Sequence, residues 1–405
     1  MSLKKILFTI IIMILCFPVF AERASMPSFT VRTAASNGFG GHHIAYTNNI
    51  YSLLVNPAAM IDVHQWSVFS LALSFLSPQQ SFGMFDSMAS FADGNIDALP
   101  NLLRSLNDGK MVLGLEIHEF PLLSFAWVND GFGIGLMTNT LFDFNIIGFN
   151  MEINVYADII LPVGFAFNVM DINRGQHTLD AGFTVKAFSR FMINERSDIL
   201  SMAENMDAIL DDMNMPLIMG GGFDFGLLYR WNKGFSLGLT FDDLISHGQV
   251  MANMSESYNG PLFYYVPLSI NLGIAYDFRI GRIFENAPPT MRNIGVVAAL
   301  DWRNIANIFK QDNPLYRNAV LDFGIGVQLY LWDTLYFRIG LNEMLPAVGI
   351  GLHIGILQLD IAYYGREYGY EPGHFPAASL EFSIAIRPGA QPKKWPWVSP
   401  PIFSR

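Results

Sequence analysis

The chain has 405 residues and a single cysteine, Cys16. That cysteine lies in a segment that reads as a secretory leader: Lys4 and Lys5, an apolar core from Ile6 to Phe20, and the small residue Ala21 before the expected cut. With residues 1–21 removed no cysteine remains, which excludes a disulfide framework and a thiolate site. Basic residues are scarce, 24 Lys and Arg against 35 Asp and Glu, so nucleic acid, which is gripped by a basic surface, is not an expected partner. Past the leader no stretch approaches the ~18 consecutive apolar residues of a membrane-spanning helix. Catalytic patterns are missing as well. The eight histidines form no HExxH, and Ser236, the serine of Gly234-Phe235-Ser236-Leu237-Gly238, falls within the alternating strand segment 235–242 and not at a strand-to-helix elbow. His42 and His43, beside Gly40-Gly41, diverge in extended chain and make a poor metal pair. No enzyme activity, metal or cofactor is expected.

What is present is apolar: 51% hydrophobic residues, 15% charged and a mean hydropathy of +0.30. That surface needs an apolar surrounding, and its arrangement says which. From Leu179 to Phe191 the odd positions read Leu, Ala, Phe, Val, Ala, Ser, Phe, while Asp180, Gly182, Thr184, Lys186 and Arg190 fall on the even ones. This is the period of a strand with one apolar face. The split recurs along the chain to about residue 388. The polar face carries Gly, Ser, Asn and Tyr with sparse charges of both signs, which suits a lumen wall better than the wet face of a soluble sandwich. Trp127, Trp231 and Trp332 each stand at a strand end before a tight turn, as interfacial aromatics do. The predicted fold class is all-β: a transmembrane antiparallel β-barrel over residues 65–388. Fifteen candidate strands can be drawn, among them 120–128, 149–158 and 161–170, with the parity changing at Gly355; a single-chain bacterial barrel has an even number, so about 14 are expected.

Two insertions carry helical periodicity, residues 82–107 (with Met84, Phe85 and Met88) and 196–213 (with Met202 and Met206). They are expected as helical extracellular loops whose methionines capture apolar ligands, since the thioether adapts to varied shapes. Residues 389–405 form a proline-rich C-terminal tail without strand period. Residues 22–64 lack alternation and contain the apolar, proline-fixed stretch "NIYSLLVNPAAMID".

The order of leader, non-strand segment and barrel, with Asn56-Pro57-Ala58 shortly before the first strand, resembles the FadL superfamily of outer-membrane transporters for hydrophobic compounds, including its PorV-like and spirochaetal relatives. The resemblance implies that residues 22–64 are a hatch inside the lumen, with Asn56, Pro57 and Ala58 as its motif. It implies a bacterial outer-membrane protein, surrounded by outer-membrane lipid, for passive uptake of hydrophobic small molecules, with long-chain fatty acids as the expected ligand. The same fold also fits a PorV-like scaffold or shuttle for a secreted or periplasmic protein partner, or a plugged porin. Within the lumen, Lys186, Arg190 and Arg338 share the inward parity and are the candidate partners of an anionic headgroup; the alternative is that they pair with wall carboxylates such as Asp180, Asp322 or Asp360.

Overall fold

The computed structural model describes residues 23–29, 31–77, 110–119, 124–147, 150–172, 176–198, 214–231, 234–253, 258, 260–284, 288–305, 307 and 317–388. The leader, the 82–107 loop, residues 199–213 and the tail lie outside the described residues, and with them Met84, Phe85, Met88, Met202 and Met206.

Eighteen strands form one sheet. In chain order they are β1 (Arg23–Ser25), β2 (His64–Ser67), β3 (Phe69–Leu76), β4 (Lys110–His118), β5 (Phe125–Asn129), β6 (Phe132–Ile147), β7 (Asn150–Ile172), β8 (His177–Asp198) and β9 (Pro216–Trp231). Then come β10 (Phe235–Asn253), β11 (Phe263–Tyr265), β12 (Ser269–Arg279), β13 (Ile294–Trp302), β14 (Phe323–Leu331), β15 (Leu335–Asn342), β16 (Leu345–Ile354), β17 (Leu357–Glu367) and β18 (Pro376–Ile386). Fourteen of them make a closed antiparallel ring, sealed where β18 pairs with β3 through Ile384↔Leu71 and its neighbours. The short strands β1, β2, β5 and β11 brace or extend it.

The ring corrects the strand segmentation. The stretches 149–158 and 161–170 are one strand, β7, which runs through Pro162. Proline is tolerated because the β6 ladder skips from Ile134↔Val163 to Met137↔Ile160, so no partner on β6 waits for the missing N–H. Of the segment 120–128, residues 120–123 lie outside the described residues and the described strand, β5, starts at Phe125; β5 and β4 both pair along β6. Gly355, at φ +58°, turns the chain between β16 and β17, and glycine relieves the strain of that conformation.

The side-chain phase follows the sequence. On β8, Asp180, Thr184, Lys186 and Arg190 are buried, while Val185, between them, is 54% exposed. Ile325, Ile339, Ile350 and Ile361 are exposed on four other strands. A one-residue slip would exchange the two faces, so this phase fixes the register. No helix among the described residues is long and apolar enough to cross a membrane; the apolar outer band belongs to strands. Aromatics collar the short-turn end. Trp66 packs on Trp127, Trp127 on Phe132, Phe132 on Phe165 and Phe165 on Phe183, with centroids 5.0–5.6 Å apart, and Trp231 and Trp332 stand exposed at two further turns.

Candidate functional site: the inner segment and the lumen

Residues 26–63 pack against inward faces on opposite sides of the ring. The short helix Ala34–Gly38 touches β15 to β18, while the 3₁₀ turn Pro57–Asp62 touches β7, β8 and β9. Glycines in the wall make this approach possible. Gly182 and Gly226 are direct partners across β8 and β9, and a Cβ at either would overlap Pro57 or Asn56. On the other wall, Gly40 (φ +90°) lies on the backbones of Ile325 and Gly340, where a side chain would be both strained and obstructed.

Asn56 is fully buried. It caps the 3₁₀ turn, its Oδ1 accepting from Ala58 N–H at 3.1 Å, while Nδ2 donates to Ile44 O at 3.0 Å and Leu227 O at 3.3 Å. One side chain thus ties two turns of the inner segment to β9. Pro57 supplies the first residue of the turn with its φ already set, and Ala58 and Ala59 are small enough to sit against Leu228. Further ties follow. Thr184 Oγ1 donates to Leu53 O at 2.8 Å, Asn37 Nδ2 to Glu381 Oε2 at 2.6 Å, Ser236 Oγ to Ala45 O at 2.8 Å, and His43 pairs with Asp301.

The three candidate cations have different surroundings. Lys186 Nζ lies 2.9 Å from Asp224 Oδ1 and 2.8 Å from Asp243 Oδ1, all three side chains buried. Arg190 forks onto Asp158 at 2.6 and 2.8 Å and donates from Nη1 to Pro27 O at 2.5 Å, with Phe29 stacked 4.2 Å away. Arg190 therefore grips the inner segment. Arg338 donates to Asp360 at 2.6 Å and to Gln328 at 2.8 Å. Of the wall carboxylates anticipated as partners only Asp360 has that role; Asp180 pairs with Arg230 and Asp322 with Arg317. Sequence parity placed the cations inside, but partners on neighbouring strands depend on register, which alternation leaves open.

Of the three, Arg338 alone lines a cavity of about 880 Å³ between the inner segment and β14–β18. Arg387, Tyr46, Tyr336, Gln328, His353 and Asp360 also line it, and it reaches the short-turn end at Asp62 and Asp333. Its walls are polar, and the charges pair. Partly enclosed His42 borders the cavity; desolvation, with positive Arg32 and Arg303 nearby, pushes its imidazole down to about 3.

The end of β4 adjoins the inner segment. Glu119 (φ +56°) donates its N–H to Thr138 O at 2.8 Å. Its carboxylate accepts from Ser70 and from Tyr51 Oη, the latter at 2.6 Å, and Arg387 Nη2 donates to the same Tyr51 oxygen at 2.5 Å. Tyr51 is 1% exposed. Glu119, just past β4, and Arg387 are thus both clasped to the inner segment by one phenol, a contact the sequence signals only through the mid-segment "NIYSLL".

No family model and no curated protein matches the sequence. In three dimensions the chain is similar to the Pseudomonas putida toluene transporter TodX, at 11% identity over 88% of this chain and 98% of that one, TM-score 0.47. It is similar also to a Pseudomonas aeruginosa FadL homologue (12% identity, 90% and 99%, TM-score 0.45) and to the Ralstonia pickettii toluene transporter TbuX (12%, 88% and 98%, TM-score 0.44). At such values function has to be read from the chain's own geometry.

Proposed function

We propose that this chain is a bacterial outer-membrane transporter for passive uptake of hydrophobic small molecules, with long-chain fatty acids as the expected ligand class. The observation that carries the reading is a lumen occupied by the inner segment, which meets the wall on opposite sides. A segment that meets both sides of the ring obstructs axial flow of water-soluble solutes, which leaves a molecule able to partition into the surrounding bilayer as the cargo that fits. Capture falls to the methionine-rich loops, Met84, Phe85 and Met88 in one and Met202 and Met206 in the other. Release follows when the Tyr51–Glu119 clasp opens. A carboxylate head, which in a dry lumen needs a cationic partner, is met by Arg338 at the cavity. Mass spectrometry of organic extracts of the purified protein tests the ligand class: a bound fatty acid or other hydrophobic compound at near one per chain is expected, and repeated recovery of none contradicts it. A second reading, a scaffold or shuttle for secreted proteins, is favoured by the polar walls of the cavity.

A further inference from the structure

The cavity beside the inner segment is walled against hydrocarbon. Of the described side chains that line it, only Phe39 and the alanines Ala35, Ala72 and Ala385 carry no polar atom, although 51% of the chain's residues are hydrophobic. Among the described residues no Leu, Ile, Val or Met faces it. An alkyl chain there would strip water from hydroxyls, amides and guanidinium groups and return no hydrogen bond, a cost borne by every group left unpaired. At about 880 Å³ the space lies within the range of small-ligand sites. Such a wall fits a solute that brings its own hydrogen-bonding groups.

We propose that this cavity is a second binding site, separate from that of any hydrophobic cargo, for a short neutral glycan, a di- or trisaccharide, entering from the periplasmic side. Charge sets the first condition. Arg279, Arg338 and Arg387 line the cavity together with Asp62, Asp333 and Asp360, three of each sign, so a net charge on the ligand would gain nothing overall. Position sets the second. The cavity reaches Asp62 and Asp333 at the short-turn end, and short turns face the periplasm. A ligand arrives there without passing the inner segment.

The polar wall is also set for hydroxyl groups. Gln328 on β14 accepts from Arg338 Nε at 2.8 Å, and Gln358 on β17 accepts from Arg387 Nη1 at 3.0 Å. Each arginine thereby fixes which end of the amide is which, and the NH2 group of each glutamine is left for the cavity that both line. Asp360, to which Arg338 donates at 2.6 Å, adds acceptor oxygens to these donors. A sugar hydroxyl both donates and accepts, so neighbouring hydroxyls of one ring can serve a carboxylate and an amide together. Rings complete the wall: Tyr336 packs on His353 with centroids 4.4 Å apart, and the Arg338 guanidinium lies 5.0 Å from the Tyr336 centroid. The C–H face of a pyranose suits such a surface, apolar in its middle and polar at its edge. Gln328 and Gln358 stand three strand spacings apart, ~14 Å across the sheet. That is more than one sugar ring covers, which sets the length at two or three units.

Titration calorimetry on the purified full-length protein tests this, in a polyoxyethylene detergent that has no sugar head to compete. Maltose, cellobiose and maltotriose are the probes, and saturable binding of at least one of them at a single site per chain is expected. Gln328→Glu keeps an acceptor for Arg338 and removes the NH2 group, so it separates a ligand contact from a structural one. A loss of about tenfold in affinity is expected there and in Gln358→Leu. Absence of binding of all three sugars to a barrel that keeps its heat-modifiable migration on gels overturns the proposal, and so does binding that either variant leaves unchanged. Should the variants fail to assemble, Ser383→Cys decides, a one-atom change on the cavity wall in a chain whose one cysteine, Cys16, lies in the leader. The tightest-binding sugar at saturation is expected to slow labelling of that thiol by a hydrophilic methanethiosulfonate about tenfold, and an unchanged rate overturns the site.

Discussion

Arg338 and His42 carry the two consequences that belong to single residues. Arg338 already serves Asp360 and Gln328, so its value to a ligand is whatever its guanidinium offers the cavity beyond those bonds. Replacing it with Met is expected to weaken fatty-acid binding at least tenfold while leaving the methyl ester's affinity within about twofold, read by fluorescence titration; equal losses for acid and ester mark a structural arginine. Asp360 keeps His353 in that variant, which limits the damage to the fold. His42 gives a pH dependence whose sign is fixed. Its folded pKa of about 3 lies below the free value of 6.5, so below pH 6.5 the unfolded chain takes up a proton that the folded one refuses. Stability is lost as pH falls from 6.5 toward 3. The unfolding midpoint in urea is expected to drop between pH 7 and pH 4 in the native chain and to drop less in His42→Gln; identical pH profiles would show that His42 contributes nothing to the dependence.

At the level of elements, the inner segment and the wall are built for each other. The glycine pair Gly182 and Gly226 has no role in strand propensity, since glycine weakens a strand; its use is the notch that receives Asn56 and Pro57. Gly226→Val is expected to leave the ring closed, with heat-modifiable migration on gels retained, and to raise planar-bilayer conductance toward that of a chain lacking residues 22–64. Unchanged conductance in both variants would mean that residues 22–64 do not close the lumen. Alternation made the strands legible because each has one face in lipid and one in the lumen, and the Trp-turn pairs marked where they end. It failed where backbone events carry no side-chain signal: Pro162 looked like a break although a gap in the ladder accommodates it, and β4 (Lys110–His118) was not drawn as a strand. The lumen cations were legible by parity. Their partners were not, because Asp158, Asp224 and Asp243 reach them only through register and, for Asp243, through the β10 irregularity between Phe241 and Ile245.

For the whole molecule, a ring of fourteen strands encloses a segment that meets wall on both sides, and three wall arginines hold that segment. Arg190 reaches Pro27, Arg387 reaches Tyr51, and Arg230 reaches Asp62. The buried pair Arg190–Asp158 behind the first of these contacts is of the kind that costs about 3–5 kcal/mol when one partner is lost and contributes little net stability when intact; such contacts are understandable as devices that set where the inner segment sits. The measurement that tests the central claim most directly is uptake of a labelled long-chain fatty acid by cells whose own outer-membrane fatty-acid transporter has been deleted and which express this chain. Uptake several-fold above the empty strain is expected, with no rise in permeability to a polar trisaccharide. A properly assembled barrel that leaves fatty-acid uptake at the level of the empty strain, or that admits the trisaccharide instead, would contradict it.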